Sequence, residues 1–348
     1  MIDFIAYHHM IAQCADSVFR SLVDDFGHEC HWRIGPHWQP TGATAGVLLD
    51  HRGFQPFVRK GAGAYRFLFH MSHDVADVHI YREDNLRDMD IVFVPGTRHL
   101  HAARQALGPA QAIEVIGWPK YDQLRIQNQF ESLRRQLDAL PARRTVLYAA
   151  SCPNNWEWRD LFPGLAQAGV NVVIKNHIVV DDDQPFPVGH EELYTESLRS
   201  INAMEVEARD LHGFVVAPRK LNICTLFPYV DVLISDGSSA LLEFLPFGLS
   251  IETGRTWKKR PAADDFEPEA GRLSSEVLVL RTAALAALLS SPGELADLIQ
   301  TRKSARHADR VIDLVPDRSS GHYAAKLIDA YLQAHGDESR DETCAHDR

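Results

Sequence analysis

The chain has 348 residues, 45% of them hydrophobic, which is enough for two domains of about 150–170 residues with a core each. Acidic residues outnumber basic ones by 47 to 36, the opposite of the balance in proteins held to nucleic acid by their charge. The longest apolar runs fall well short of the roughly 18 residues that a membrane-spanning helix needs. The composition therefore excludes a small stapled module, a disordered chain and a spanning protein, and it disfavours a nucleic-acid partner.

The cysteines indicate the compartment. There are five of them, at positions 14, 30, 152, 224 and 344, without a C-x-x-C pair. An odd, scattered set is typical of a reducing compartment, where thiols act as small buried hydrophobes. The N-terminal Met1-Ile2-Asp3-Phe4 lacks the basic region and cleavage pattern of an export signal. We therefore expect a cytoplasmic protein without a transmembrane segment, with peripheral association at the inner face of the membrane left open.

Short apolar runs recur along the chain, and each is followed by a stretch with helical spacing. The first half contains predicted strands at 3–6, 46–50, 65–70, 90–94 and 113–116. The second half contains predicted strands at 145–150, 170–175, 213–217, 230–235, 249–252 and 277–280. Apolar runs without strict alternation are typical of parallel strands covered on both faces. The predicted class is α/β, with two Rossmann-like, doubly wound parallel sheets.

A polar stretch at 123–144 separates the two sets of strands. It is rich in Gln, Arg and Leu and contains Pro141, so it predicts a polar helix, a turn and the domain boundary. The expected organisation is an N-terminal domain at 1–135, a C-terminal domain at 144–318, a closing helix at 319–335 and a disordered tail at 336–348.

In doubly wound sheets, ligands bind at the carboxyl ends of the strands, so the residues just after each strand are the candidates for chemistry. The strongest signal is Asp236-Gly237-Ser238-Ser239, which follows a buried strand and opens a helix. Free N–H groups and two serine hydroxyls there suit phosphate oxygens. Glu243, about one turn further on, suits two vicinal ribose hydroxyls. The alternative is that Asp236 or Ser238 only caps the helix and that Glu243 only interacts with its dipole.

Two further strand ends carry cations or imidazoles. Lys175 and His177 follow a strand of the second half and can neutralise a phosphate, or they are a surface lysine and a hydrogen-bonded histidine. His70 and His73 follow a strand of the first half, where the near-neutral pKa typical of histidine suits a general base for a hydroxyl acceptor. Their i, i+3 spacing also suits a metal if the segment is helical. Each histidine taken alone is more often structural.

Two other patterns give weaker indications of function. The segment His28-Glu29-Cys30-His31 has no second ligand pair at a zinc-like spacing, so structural histidines are the expected interpretation. Gly61 precedes a predicted strand rather than following one, and it is therefore not part of a dinucleotide-binding fingerprint.

The order of these segments resembles that in the CDP-glycerol glycerophosphotransferases, which build teichoic acids and related capsule polymers. The segments similar to motifs of that family are His70-Met71-Ser72-His73, Gly117-Trp118-Pro119-Lys120-Tyr121-Asp122, Leu147-Tyr148-Ala149-Ala150-Ser151-Cys152 followed by Trp158-Arg159-Asp160, Lys175-Asn176-His177-Ile178, Asp236-Gly237-Ser238-Ser239 with Glu243, and the closing helix after Pro316-Asp317-Arg318-Ser319-Ser320-Gly321. The chain departs from the family in three places. It has no glycine and proline after His70, no proline after His177, and Gly237 in place of a tyrosine.

The resemblance implies a GT-B fold in which an acceptor domain precedes a domain that binds the nucleotide donor, with the active site in the cleft between them. It implies transfer of glycerol phosphate, or a related alditol phosphate, from a CDP-linked donor to a hydroxyl acceptor such as a saccharide or polyol phosphate. CMP is released, and the product belongs to a cell-surface polysaccharide. Two rival functions stay open: a GT-B glycosyltransferase or UDP-sugar 2-epimerase, and a catalytically inactive nucleotide-binding protein.

The same resemblance assigns roles to the candidate residues. The implied catalytic residues are His70, as the base, and His177, which stabilises the transferred phosphoryl group. The implied substrate-binding residues are Lys175, Asp236, Ser238, Ser239, Glu243 and His73. No metal and no cofactor are required.

Overall fold

A computed structural model of the protein describes residues 1–6, 9–35, 41–49, 65–73, 75, 81, 84–125, 131–150, 158–176, 191–236, 238–253, 277–280, 282–304, 312 and 319–336. The chain divides into two compact units. The first is formed by Met1–Arg125 together with Ala308–Arg348, and the second by Ile126–His307. The C-terminal part of the chain therefore returns to the first unit.

Each unit contains one six-stranded sheet whose neighbouring strands are all parallel. The strands are β1 (Ile2–Ala6), β2 (Cys30–Ile34), β3 (Ala45–Leu48), β4 (Phe67–Met71), β5 (Ile91–Val94), β6 (Ile113–Val115), β7 (Thr145–Tyr148), β8 (Asn171–Ile174), β9 (Phe214–Val216), β10 (Val232–Ser235), β11 (Leu249–Glu252) and β12 (Leu278–Val279). The helices are α1 (His9–Ala12), α2 (Asp16–Asp24), α3 (Thr97–Leu107), α4 (Glu131–Asp138), α5 (Trp158–Gln167), α6 (Glu191–Arg209), α7 (Ala240–Phe244), α8 (Thr282–Leu289), α9 (Pro292–Ser304) and α10 (Ser320–Gly336). The predicted α/β class with two doubly wound parallel sheets is confirmed.

The first sheet has the strand order β2-β1-β3-β4-β5-β6, and hydrophobic clusters cover both of its faces. On β4, Phe67 and Phe69 belong to the cluster that includes residues of α2 and α10. Leu68, which points to the opposite face, belongs to the cluster that includes Ala103 of α3. Burial of both faces is the reason that these strands are apolar at successive positions rather than at alternate ones.

Every strand predicted from the sequence is present, but β2 was missed. It is an edge strand, paired on one side with β1 alone, and its five residues are all half-buried. An edge strand with His31 and Arg33 between its apolar residues lacks the continuous apolar run of a central strand, so the pattern for a buried strand does not detect it.

Two histidines join the N-terminal region to the closing helix, one from each side. The Nε2 atom of His28 lies 2.9 Å from Oδ1 of Asp329 on α10. On the same helix, Nδ1 of His322 lies 2.9 Å from Oδ2 of Asp25. Hydrogen bonds from Ser21 and then from His322 lower the pKa of the Asp25 carboxyl. Among the residues with described positions, no group of three His, Cys, Asp or Glu side chains could hold a metal ion.

A carboxylate from a distant part of the chain caps the N-terminus of α10. The Asp122 side chain accepts hydrogen bonds from the backbone N–H groups of Ser320 and Gly321, at 3.1 and 2.7 Å, and from the Ser319 hydroxyl at 2.7 Å. These N–H groups have no partner within the helix, so the cap satisfies donors that would otherwise be lost. The two sequence segments that end in Asp122 and begin the closing helix thus form one structural unit.

We expect Gly321→Ala to destabilise the first unit by about 1–3 kcal/mol because it overpacks the contact between α10 and α2. A Cβ atom at Gly321 would lie 2.6 Å from Cβ of Ser17 and 2.7 Å from its carbonyl carbon, which is backbone and cannot rotate away. Denaturant unfolding measures the change. Gly336→Ala, at the open end of the same helix, has no atom within 4 Å of the new methyl group. Equal midpoints for the two variants would contradict the close approach.

The second sheet has the order β12-β11-β10-β7-β8-β9. The chain enters at β7, runs outward through β8 and β9, and then returns to the other side of β7 as β10, continuing to β11 and β12. This is the strand order of the dinucleotide-binding Rossmann fold, and its direction reverses between β7 and β10. That reversal point, at the carboxyl ends of these two strands, is where such sheets bind their ligands.

The cysteines at described positions, Cys14, Cys30 and Cys224, carry free thiols. Burial raises the pKa of the Cys30 thiol to about 11, so this thiol is protonated and unreactive at neutral pH. Within the described part of the chain, no helix is both long and apolar enough to cross a membrane.

Candidate functional site

The reversal point of the second sheet is closely held together. The Ser235 hydroxyl, at the end of β10, donates to the carbonyl oxygen of Ala149, just after β7, at 2.5 Å. Asp236 follows directly and is 1% exposed. The carboxyl ends of the two strands therefore meet where the sequence places its strongest candidate motif. Gly237 of that motif lies outside the described residues.

Ser238 and Ser239 follow at the entrance to α7, and both are half-buried. The Ser238 Oγ atom accepts a hydrogen bond from the backbone N–H of Ala240 at 3.2 Å. A hydroxyl has one hydrogen and two lone pairs, so this capping bond leaves the Ser238 hydrogen available to donate to another acceptor. The capping role and the phosphate-binding role of this serine are therefore compatible.

Glu243 is enclosed by protein. Its side chain is fully buried, and the Cys224 thiol donates to its Oε2 atom at 3.5 Å. The backbone N–H of Cys224 is itself bonded to Oδ1 of Asn222 at 3.0 Å. The carboxylate expected to meet ribose hydroxyls is, in this structure, the buried partner of a thiol.

Lys175 lies at the same edge of the sheet, just after β8, and is 5% exposed. Its ammonium group donates to the carbonyl oxygens of Asn176, at 2.6 Å, and Arg219, at 2.8 Å. Strand β7 separates β8 from β10, which places the two strand ends about 10 Å apart at the usual strand spacing. His177, the next candidate, lies outside the described residues.

A buried polar network that the sequence did not reveal holds this end of β8. Glu205 of α6 accepts from the Arg219 guanidinium at 2.8 Å through Nε and at 3.0 Å through Nη2. The Asn176 side-chain amide also donates to Glu205, at 2.8 Å. Arg219 comes just after β9, so the rule of inspecting strand ends could have found it. Nothing in the helical spacing of α6 singles out Glu205.

In the first unit, His70 and His73 occupy different environments. His70 lies inside β4, in register with Leu48 and Val92, and its side chain is fully buried. The segment is a strand rather than a helix, so the i, i+3 spacing does not bring the two imidazoles to one face as a shared metal site would need. His73 lies beyond the end of β4 and is half-buried.

The His73 imidazole is oriented by the neighbouring strand. Its Nδ1 atom lies 3.0 Å from the carbonyl oxygen of Leu49, which follows β3. A carbonyl oxygen only accepts, so Nδ1 carries the hydrogen and Nε2 of the neutral ring carries the lone pair. The Cys14 thiol donates to the His73 carbonyl oxygen at 3.6 Å. Of the two candidate histidines, His73 is the one that is half-buried and whose ring direction is fixed by a hydrogen bond to a neighbouring strand end.

Two Rossmann-like units, each with one six-stranded parallel sheet, are the architecture of the GT-B fold. Comparison with solved structures agrees. The wall teichoic acid polymerase TagF superposes with a TM-score of 0.64 and 13% sequence identity, over 96% of this chain and 89% of that one. A TagF variant soaked with CDPG gives a TM-score of 0.59 at 12% identity, covering 96% and 89%.

Other solved structures share this fold. The UDP-GlcNAc 2-epimerase from Methanocaldococcus jannaschii gives a TM-score of 0.53 at 10% identity, covering 95% of this chain and 99% of that one. The MnaA–UDP complex from S. aureus gives 0.55 at 10% identity, covering 95% and 96%. The sequence matches no protein-family model, and it has no significant match among curated proteins. These comparisons establish a shared GT-B fold.

Proposed function

We propose that this protein is a GT-B transferase that moves glycerol phosphate, or a related alditol phosphate, from a CDP-linked donor to a hydroxyl acceptor and releases CMP. The observation that carries the proposal is the pair of half-buried serines, Ser238 and Ser239, at the reversal point of the second sheet. This is where Rossmann-type sheets bind nucleotides. The shared fold with CDPG-soaked TagF favours a CDP-linked donor, and the ordered motifs of the sequence favour the same reaction.

In the proposed reaction, the acceptor hydroxyl oxygen attacks the phosphorus that carries the alditol. The new P–O bond forms as the P–O bond to CMP breaks, and the hydroxyl proton passes to the enzyme's base. The Ser238 and Ser239 hydroxyls donate to the diphosphate oxygens, so charge developing on the leaving CMP meets fixed donors. Lys175 and Asp236 lie at the same edge of the sheet, directly after β8 and β10. His177 is proposed to stabilise the transferred phosphoryl group.

We assign the base to His73 rather than to His70. A general base must reach the proton that it abstracts, and the side chain of His70 is fully buried within β4. His73 is half-buried, and its bond to Leu49 gives Nε2 the lone pair. Glu243 is assigned to supporting the site through its contact with Cys224, since the carboxylate is enclosed.

A panel of nucleotides tests the donor. CDP-glycerol, CDP-ribitol, CMP and UDP-GlcNAc are each added to the protein, and the thermal midpoint is measured; ligand at 100 times Kd adds about 2.7 kcal/mol. Stabilisation by the cytidine compounds supports the proposal. Selective stabilisation by UDP-GlcNAc would support the rival nucleotide-sugar enzyme, and no response to any compound would contradict the proposed donor site.

In the same panel, we expect the double variant Ser238→Ala with Ser239→Ala to bind CDP-glycerol at least tenfold more weakly. Hydrogen bonds to charged groups contribute about 1.5–3 kcal/mol each, so the loss of two donors exceeds a tenfold effect even after water replaces part of them. Ser132→Ala, at an exposed position on α4 of the same unit, is the control and should bind like the wild type. Unchanged affinity in the double variant would contradict the assignment of the donor site.

A further inference from the structure

The segment that carries His73 is held by a second, fully buried histidine on another element. His99, on the first turn of α3 after β5, is 0% exposed. Its Nε2 atom lies 3.0 Å from the carbonyl oxygen of Val75, two residues beyond His73. Its Nδ1 atom lies 2.8 Å from the hydroxyl of Tyr81, which is also 0% exposed. One buried imidazole is thereby hydrogen-bonded to two residues that follow β4, Val75 and Tyr81.

The chemistry of these partners determines where the hydrogens are. The Val75 carbonyl oxygen only accepts, so Nε2 of His99 carries the hydrogen and Nδ1 carries the lone pair. The Tyr81 hydroxyl then donates to Nδ1, and this bond selects the tautomer whose Nε2–H holds Val75. His99 is thus in the tautomer opposite to that of His73, whose Nδ1–H donates to Leu49.

His73 and Val75 are therefore held by three contacts. The His73 imidazole donates to Leu49, the His73 carbonyl accepts from the Cys14 thiol at 3.6 Å, and the Val75 carbonyl accepts from His99. These partners come from three different elements, after β3, before α2 and in α3. A buried histidine is satisfied by one hydrogen bond at each nitrogen, wherever in the chain the partners lie. For His99, the partners Val75 and Tyr81 both belong to the chain that follows β4.

We propose that His99, with Tyr81, is a positioning residue that sets the direction of the His73 imidazole, an inference that rests on the function proposed above. His99 does not contact the reacting groups. It acts through the Val75 carbonyl, which keeps the end of β4 in the conformation where the His73 Nδ1–H meets Leu49. Displacement of a catalytic group by about 1 Å can reduce the rate by about 10²-fold, so the loss of this anchor should be visible in the rate.

Three variants separate positioning from general stability. His99→Leu removes both hydrogen bonds, and Tyr81→Phe removes only the hydroxyl that selects the His99 tautomer. His99→Gln is the rescue variant, because the glutamine amide places an N–H donor near the position of Nε2. We expect His99→Leu to reduce kcat at least tenfold while the Kd for CDP-glycerol, which is bound by the other unit, changes less than twofold. Tyr81→Phe should reduce kcat less, and His99→Gln should restore most of it.

A second measurement does not depend on activity. In protein labelled with 15N-histidine, long-range 15N–1H spectra report the tautomer of each imidazole, and the His73→Gln variant identifies the His73 signals. We expect His73 in the Nδ1–H form in the wild type and a shift toward a mixture of tautomers in His99→Leu and, to a smaller extent, in Tyr81→Phe. The Tyr81→Phe variant keeps this test valid if His99→Leu does not fold.

The outcomes separate this inference from the proposed function. If the wild type transfers nothing from CDP-glycerol, the proposed function is wrong, and the shift in the His73 tautomer still supports the positioning role. The positioning role is overturned if the wild type is active and both Tyr81→Phe and His99→Leu keep the wild-type kcat and the Nδ1–H form of His73. Failure of His99→Gln to restore kcat, when it restores the thermal midpoint, would equally overturn it.

Discussion

His73→Ala is expected to reduce transfer from CDP-glycerol by about 10²–10⁴-fold, the usual loss when a general base is removed. The physical reason is that Nε2 carries the free lone pair of this imidazole, because Nδ1–H donates to the Leu49 carbonyl at 3.0 Å. Alanine offers no lone pair to accept the proton of the attacking hydroxyl. The affinity for the donor should be nearly unchanged, because the donor is assigned to the second unit. Initial rates with calorimetric Kd values measure both quantities, and a fall in kcat without a change in Kd is the signature of a group that acts only in the chemical step.

Two other histidines provide the comparison. His101→Ala, on α3 and exposed, should transfer at the wild-type rate. His70→Ala empties a fully buried position in β4, so its main expected effect is on stability, and its rate is compared after correction for the folded fraction. Transfer that survives His73→Ala but is lost in folded His70→Ala would return the role of base to His70. A normal rate in both would show that neither histidine is the base.

Glu205→Ala is expected to destabilise the second unit by about 3–5 kcal/mol, since removing one partner of a buried ion pair leaves the other charge uncompensated. Glu205 accepts three hydrogen bonds from Arg219 and Asn176, and its side chain is 12% exposed. Because the Arg219 side chain is 24% exposed and can gain some water, the lower end of the range applies. For a domain of this size, each kcal/mol lowers Tm by about 2–4 °C.

The matched control is Glu207→Ala, which removes the same kind of side chain from an exposed position of α6 and should change the free energy of unfolding by less than about 0.5 kcal/mol. Arg219→Ala and the double variant complete a double-mutant cycle. The double variant should be less destabilised than the sum of the two single variants, because it leaves neither charge of the ion pair uncompensated. Equal midpoints for Glu205→Ala and Glu207→Ala, or additive effects in the cycle, would contradict the buried pair.

The α/β class and eleven of the strands followed from the sequence because strands of a parallel sheet are short, mostly apolar runs, and the central ones, buried on both faces, are apolar at successive positions. The same pattern could not detect the edge strand β2, because its apolar residues are interrupted by His31 and Arg33. The rule that ligands meet parallel strands at their carboxyl ends selected Ser238 and Ser239, and the structure places them at the reversal point of the second sheet. For that region, local sequence carried the information, because strand, turn and helix are consecutive.

Other features depend on residues that the chain brings together from far apart. Asp122 caps a helix about 200 positions further on, and Glu205 on α6 meets Arg219 after β9. No local pattern marks such pairs, since each partner acquires its role only when separate elements pack. The choice between His70 and His73 has the same origin. Both are histidines at a strand end in the sequence, but the register of β4 buries one, while the carbonyl of Leu49 orients the other. The sequence by itself determined the α/β class and eleven of the twelve described strands, whereas the burial of each side chain and the direction of its hydrogen bonds were decided by the tertiary structure, because both depend on which elements pack together.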